Sequence, residues 1–250
     1  MHIEDNFCCL FFLMQMAYFH KISGLSIVML FMVASLLAQH SNSRDHWHYQ
    51  ASYLSSQDGL PQNSAYAMHQ DAFGFVWIAT QIGVARFDGH IFTDFPFKDL
   101  AGNSNESTNY ERFLCETTVL AEDTFRHTLW IGSCAGLFGI STETYETWQF
   151  EPTAGMRILA LEVSADSKLL LGTDKGLLQA EISAKDQRNG VVKRLFTEHL
   201  QHLRVSQIER AKGQLFIGTN DGVYVFEQTK TPVFAKHFSG GAVRALLLRE

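Results

Sequence analysis

The apolar positions along these 250 residues follow two patterns. One is a single long run, Ile22–Ala38 (ISGLSIVMLFMVASLLA), with His20 and Lys21 before it and the polar stretch Gln39–Asp45 after it. The other is a series of short runs from Ala65 onward, each broken by glycine or polar turn residues. Gly74–Gly89, GFVWIATQIGVARFDG, is typical of the second pattern. An apolar run containing Trp77 leads through Thr80 and two variable residues to Gly83, and a second apolar run reaches Asp88-Gly89. Two short apolar segments joined by a glycine-containing turn predict a β-hairpin.

The hairpin recurs. FVWIATQIGVARF (Phe75–Phe87), TLWIGSCAGLFGI (Thr128–Ile140), KLLLGTDKGLLQA (Lys168–Ala180) and QLFIGTNDGVYVF (Gln214–Phe226) share one order of residues. A bulky apolar residue (Trp77, Trp130, Leu170, Phe216) and an aliphatic one precede a small residue (Ala79, Gly132, Gly172, Gly218) and then Thr or Ser. Two variable positions lead to Gly83, Gly136, Gly176 or Gly222, which lie 53, 40 and 46 residues apart. Self-similarity at such periods indicates a propeller or a solenoid. The turn glycine predicts a positive φ, which glycine adopts without steric cost. The small residue inside the strand predicts close approach of another backbone or side chain. Phe75 and Trp77 alternate with Val76 and Ile78, so both faces of this strand are apolar. A strand buried on both faces belongs in the middle of a stack of sheets.

Each unit offers four strands. In the first they are Ala65–Gln70, Phe75–Thr80, Val84–Phe87 and Ile91–Phe95; in the third, Ile158–Val163, Leu169–Thr173, Leu177–Ile182 and Val191–Phe196; in the fourth, Val205–Glu209, Leu215–Thr219, Val223–Phe226 and Val233–Phe238. Four short antiparallel strands per unit define a propeller blade. Asp99–Tyr110, DLAGNSNESTNY, reads as a polar surface loop that lengthens the first period, and its Asn105-Glu106-Ser107 as a chance match to a glycosylation triplet. Val243–Glu250, VRALLLRE, matches the lead-in strand of earlier units. The expected fold is all-β: an incomplete β-propeller of about four antiparallel blades and the first strand of a fifth. On this reading the chain is the front part of a longer protein or a truncated gene product, with a four-bladed propeller carrying a tail as the alternative.

The long N-terminal run has the order of a secretory signal: basic residues, an apolar stretch, then small residues at the cut, placed after Ala38. An uncleaved membrane anchor is the alternative, because the run is near the minimum spanning length. Residues 1–38 are therefore assigned to a signal peptide or anchor and 39–250 to the partial propeller. Glu4 and Asp5 are acidic where a signal carries positive charge, so Met16 is the expected true start.

Charge and side-chain chemistry narrow the function. The net charge of −6 and pI of about 6.0 argue against nucleic acid as a partner, since phosphate binding needs a basic face. Export implies an oxidising compartment. Cys8 and Cys9 precede the signal, and Cys115 and Cys134 remain; their pairing is left open, with two isolated small core residues as the adopted reading. The pairs His46/His48 and His199/His202 fall short of the three or four ligands a zinc site needs and read as surface residues. Asp71, Asp88, Asp174 and Asp221 read as turn formers bonding local backbone, and no local nucleophile motif occurs. Catalytic, cofactor-binding and metal residues are thus expected to be absent, and no ligand-binding residue is assigned. Trp77 and Trp130 are assigned to packing between blades.

Gln57-Asp58-Gly59-Leu60-Pro61, His69-Gln70-Asp71, Gly74–Thr80, Gly83-Val84 and Arg86-Phe87-Asp88-Gly89 together resemble the two-component regulator propeller family. The later units keep only the hairpin core, and the third has Leu170 in place of Trp; the resemblance extends from about Trp47 onward. It implies the exported sensory portion of a bacterial signalling protein. Relatives carry two propellers, a β-sandwich, a membrane helix and a cytoplasmic histidine kinase or diguanylate cyclase. This sequence has no kinase His box, nucleotide-binding glycine loop or cyclase motif. The function expected is a periplasmic sensor that binds a small molecule, glycan or protein, is tied to the membrane through its signal or anchor or a downstream helix, and is open to dimer formation at full length. A secreted propeller lyase or glycosidase and a non-signalling scaffold are the alternatives.

Overall fold

A computed structural model describes residues 51–96, 119–164, 166, 168–227 and 233–246. The signal or anchor, the Met16 start, His46 and His48, the loop Asp99–Tyr110, and Cys8, Cys9 and Cys115 lie outside these residues. The chain divides into two units, Met1–Ser52 and Tyr53–Glu250, and nearly all described residues fall in the second.

That unit holds sixteen described strands in four sheets of four. They are β1 Ala65–Gln70, β2 Val76–Thr80, β3 Gly83–Phe87 and β4 Phe92–Pro96; β5 Val119–Asp123, β6 Thr128–Ser133, β7 Gly136–Ser141 and β8 Thr147–Phe150; β9 Ile158–Val163, β10 Leu169–Thr173, β11 Gly176–Ile182 and β12 Gly190–Leu195; β13 Val205–Ala211, β14 Gln214–Thr219, β15 Gly222–Glu227 and β16 Val233–Ser239. Each sheet is an antiparallel meander in sequence order. The first strands stand next to one another from sheet to sheet, β1 beside β5, β5 beside β9 and β9 beside β13. This is blade-like stacking, with β1, β5, β9 and β13 as the inner strands. Among the described residues helix is confined to short pieces, one of them the four-residue α1, Thr197–Leu200.

The core consists of the seams between successive sheets. Trp77, Ala79, Val84 and Phe95 pack with Leu129, Ile131, Phe138 and Ile140 between the first and second blades. Trp130, Leu137, Trp148 and Phe150 meet Ile158, Leu169, Leu171 and Leu178 at the next seam, and Leu170 and Leu177 meet Val205, Ile217 and Phe226 at the third. β6 and β10 are buried along their whole length, as their two apolar faces require. β2 is not: Val76 and Ile78 are half-buried, because their face has no described sheet beyond it.

The small residue of each repeat is explained by these seams. A Cβ at Gly132 would come within 2.6 Å of Ile158 Cγ2, and one at Gly172 within 2.7 Å of the Val205 carbonyl oxygen. Ile158 and Val205 begin the inner strands of the following blades. Gly218 is closed off in the same way by Val243 Cγ1, 2.8 Å from the same virtual atom. Val243 also donates its N–H to the Thr219 carbonyl at 2.8 Å. It thus stands against the fourth blade where Ile158 and Val205 stand against the second and third. The strand expected at Val243–Glu250 is nevertheless not formed over its described residues, 243–246. A strand is defined by its ladder, and these residues meet the fourth blade through isolated bonds, such as Val243 N–H to Thr219 and Ser206 Oγ to the Val243 carbonyl.

The hairpin tips share one bond. The hydroxyls of Thr80, Ser133, Thr173 and Thr219 donate to the carbonyls of Gly83, Gly136, Gly176 and Gly222 at 2.8–3.1 Å. The expected positive φ is found at Gly136 (129°), Gly176 (107°) and Gly222 (100°). Gly83 is not among the positive-φ residues, which corrects the expectation there. In the first blade the tip residue Gln81 is held from outside, by Gln62 Nε2 at 2.9 Å, and residues 81–82 form a bend instead of a hydrogen-bonded turn.

Candidate functional site

The residues that set the first unit apart from its later copies converge on its turns and on its seam with the second blade. In the lead segment, Ser55 and Asp58 close a reciprocal cap: the Ser55 side chain accepts from Gln57 N–H, and Asp58 Oδ2 accepts from Ser55 N–H at 2.8 Å. Gly59 follows with φ of 104° and lies against Phe92, and Leu60 is buried. The β1–β2 turn is organised by Asp71. Its Oδ1 accepts the N–H groups of Phe73 (3.0 Å) and Phe75 (2.9 Å), and its Oδ2 accepts Trp77 Nε1–H at 2.7 Å.

The neighbouring blade completes this turn. Both oxygens of Glu122, on β5, accept from the Ala72 N–H at 3.0 and 3.2 Å, and Oε2 lies 3.4 Å from His69 Nε2. Farther out, the Arg86 guanidinium lies 4.4 Å from the Phe75 ring centroid and 4.5 Å from that of Tyr145 in the second blade, and also donates to the Tyr145 hydroxyl. Phe87 packs on Phe92 at 4.7 Å, and Asp88 accepts from His90 and Ile91 N–H at 2.8 Å each. Those two backbone bonds hold the Asp88 carboxyl below its usual range.

The third and fourth blades carry a second inner-strand pair. Arg210 Nε on β13 donates to Glu162 Oε1 on β9. Glu162 Oε2 is buried without a hydrogen-bond partner among the described residues. Burial pushes the Glu162 carboxyl above its usual range and outweighs the lowering by Arg210, while Glu209 pushes in the same direction as burial.

The expected site residues distribute as follows. Asp71 and Asp88 are backbone-bonding turn formers. Asp221 is not: its Oδ2 accepts from the Tyr224 hydroxyl at 3.1 Å, and its own N–H goes to Thr219 Oγ1. At Asp174 the neighbouring N–H, that of Lys175, likewise goes to Thr173 Oγ1. The small hydroxyl residue closes these tips, so the aspartates are not needed for it. His199 stacks on Phe234 (4.3 Å) while His202 is exposed, so the two do not form a unit. Among the described residues no three His, Cys, Asp or Glu side chains are grouped to hold a metal. Trp77 and Trp130 are fully buried in the seams. Trp130 lacks the bond that Trp77 makes: Asp123, at the Asp71 position, accepts from Arg126 Nη1 at 2.7 Å, and Trp130 Nε1 has no hydrogen-bond partner among the described residues. Cys134, in the β6–β7 tip, is disulfide-bonded, which corrects its reading as an isolated core residue; the other half of the bond lies outside the described residues.

Sequence reasoning did not single out His69, Glu122, Glu162 or Arg210 as contact residues. The available signal was register. His69 and Glu162 face the position of the repeat's bulky residue, opposite Trp77 and Leu170, and Glu122 and Arg210 stand one step farther along their strands.

Four stacked four-stranded meanders with Thr/Ser-closed tips are β-propeller blades. Residues 59–81 match the family model described as two component regulator propeller. None of the curated proteins matches the chain. Among solved structures it is similar to the extracellular domain of the hybrid two component system protein BT3049 of B. thetaiotaomicron, at 20% identity and TM-score 0.56, over 78% of this chain and 27% of that one. It is also similar to the extracellular domain of BT4673 of the same organism (23%, TM-score 0.55, 70% and 23%). A third is PorZ of the type-IX secretion system of Porphyromonas gingivalis (14%, TM-score 0.53, 75% and 29%). At these identities the likeness is one of fold. The chain spans about a quarter of the length of those structures.

Proposed function

We propose that this chain is the exported, ligand-sensing propeller portion of a bacterial signal-transduction protein, acting in the periplasm and without catalysis of its own. The observation that carries the reading is the family match at residues 59–81, which falls on the lead segment, the Asp71 turn and β2. The acidic groups of this segment are structural. Asp71 uses both oxygens on N–H groups, and Glu122 turns both onto one amide. Both carboxylates thus serve to hold the β1–β2 turn. Among the described residues no helix is long and apolar enough to cross a membrane. Membrane attachment through the Ile22–Ala38 run or through a helix of a longer protein belongs to the same proposal. The ligand is a small molecule, glycan or protein.

A thermal-shift screen of the full chain against small molecules and oligosaccharides tests this reading. A sensor shows a melting temperature that rises with ligand concentration, as linkage requires, and returns the ligand chemically unchanged. Turnover of the stabilising compound favours the secreted enzyme instead.

A further inference from the structure

We propose that a stepped polar pair on the inner strands, formed at the first seam by His69 and Glu122, couples the end turn of the first blade to the blade that follows it. The residue opposite the bulky repeat position on one blade meets the residue one step farther along the next inner strand. His69 meets Glu122 across the first seam, and Glu162 meets Arg210 across the third. The same geometry at two seams, with the charges arranged differently, points to backbone stagger as the cause. At the second seam these positions carry Ala121 and Val163, and the coupling is absent.

The first pair reaches a turn. Glu122 is almost fully buried and makes its described hydrogen bonds to the other blade, through the Ala72 N–H and His69. The adjacent acidic residue, Asp123, is turned to Arg126 on its own blade. Phe73 and Phe75 N–H groups are held by Asp71 within the first blade, so Ala72 is the point where the turn is held from the second. A bond to an ionised acceptor is stronger than a neutral one, so the turn follows any displacement of β5. The pair thereby links the end of one blade to movement of its neighbour, a route by which a change at one blade could be felt at the next.

Amide hydrogen exchange measured residue by residue on the full chain tests the coupling. Glu122→Gln keeps the side-chain volume and removes the charge. We expect the Ala72 amide to exchange roughly tenfold faster, from the loss of one charge-assisted bond, with Val84 and Ala85 unchanged. Val163→Glu places a carboxylate at the same step of the uncoupled second seam and should slow the Thr124 amide by a similar factor. Exchange at Ala72 within twofold of the parent, or acceleration spread evenly over the first blade, overturns the proposal, as does an unchanged Thr124 amide in Val163→Glu.

Discussion

Trp77 donates its indole N–H to Asp71 Oδ2 at 2.7 Å, and both residues are buried at the seam between the first two blades. One carboxylate thus closes its own turn through Phe73 and Phe75 and also fixes the orientation of the largest side chain in the seam. Asp71→Ala leaves three donors without this acceptor and should cost about 3 kcal/mol or more. Trp77→Ala should cost about 3–5 kcal/mol through the cavity it opens. The double variant should fall short of the sum, because the residues are in contact. Urea unfolding of the four proteins measures all three quantities.

The seam glycines separate spatial from conformational constraint. Gly172 has no positive φ, yet a Cβ there meets the Val205 carbonyl at 2.7 Å and Ala160 Cβ at 2.9 Å. Gly172→Ala should therefore destabilise by about 1–3 kcal/mol from overpacking. Gly240 has open space around its virtual Cβ, and Gly240→Ala should change stability by no more than about 0.5 kcal/mol. Equal effects in thermal unfolding would contradict the close approach of successive blades.

Glu162 predicts a pH dependence of a definite sign. Its carboxyl is held above the ordinary value by burial in the folded chain. The folded state therefore binds more protons than the unfolded one above the ordinary value of 4.5, and stability falls as pH rises from there through the folded pKa. Glu162→Gln should flatten this part of the stability profile, read from unfolding midpoints between acidic and neutral pH. Arg210→Ala removes the group that opposes the shift, so the decline should extend to higher pH. Glu162→Ala combined with Arg210→Val imitates the Ala121 and Val163 seam and should recover most of the loss caused by Arg210→Ala.

The Cys134 disulfide predicts a count of thiols. Cys134→Ser should raise the number of titratable thiols in the unreduced, denatured chain by one relative to the parent. Mass spectrometry of unreduced peptides then identifies which of the other three cysteines is released. Loss of the bond should cost about 2–4 kcal/mol, the usual range for a cross-link that restricts the unfolded chain.

Arg86 braces the same seam at its outer side. Arg86→Lys keeps the charge but loses the planar group that lies between Phe75 and Tyr145, and should destabilise by about 1 kcal/mol. Tyr145→Leu should cost a similar amount in the parent and less in the Arg86→Lys background. Additive effects in a double-mutant cycle would show that the brace is not energetically coupled.

The architecture was legible in the residues because a blade is a local object. Hairpins with a bulky apolar residue, a small residue two places on, then Thr or Ser and a glycine three further set the sheet order, and two-sided apolar strands such as β6 and β10 announced their burial. Strand limits such as Ile158–Val163 and Leu169–Thr173 follow from alternation and turn residues alone. The exceptions mark places where a bond outside the repeat pattern is made: Gln62 holds Gln81 in the tip that carries Gly83, and Arg126, three residues on, takes the Asp123 carboxylate that stands at the Asp71 position. The contacts of Glu122 with Ala72 and His69, of Glu162 with Arg210, and of Arg86 with Tyr145 were decided only by the tertiary structure. These partners lie roughly 50 residues apart, and which of them meet depends on how neighbouring blades pack, for the inner-strand pairs on the stagger between those strands. The periodicity of one blade carries no record of that stagger, because it arises from how two finished sheets pack.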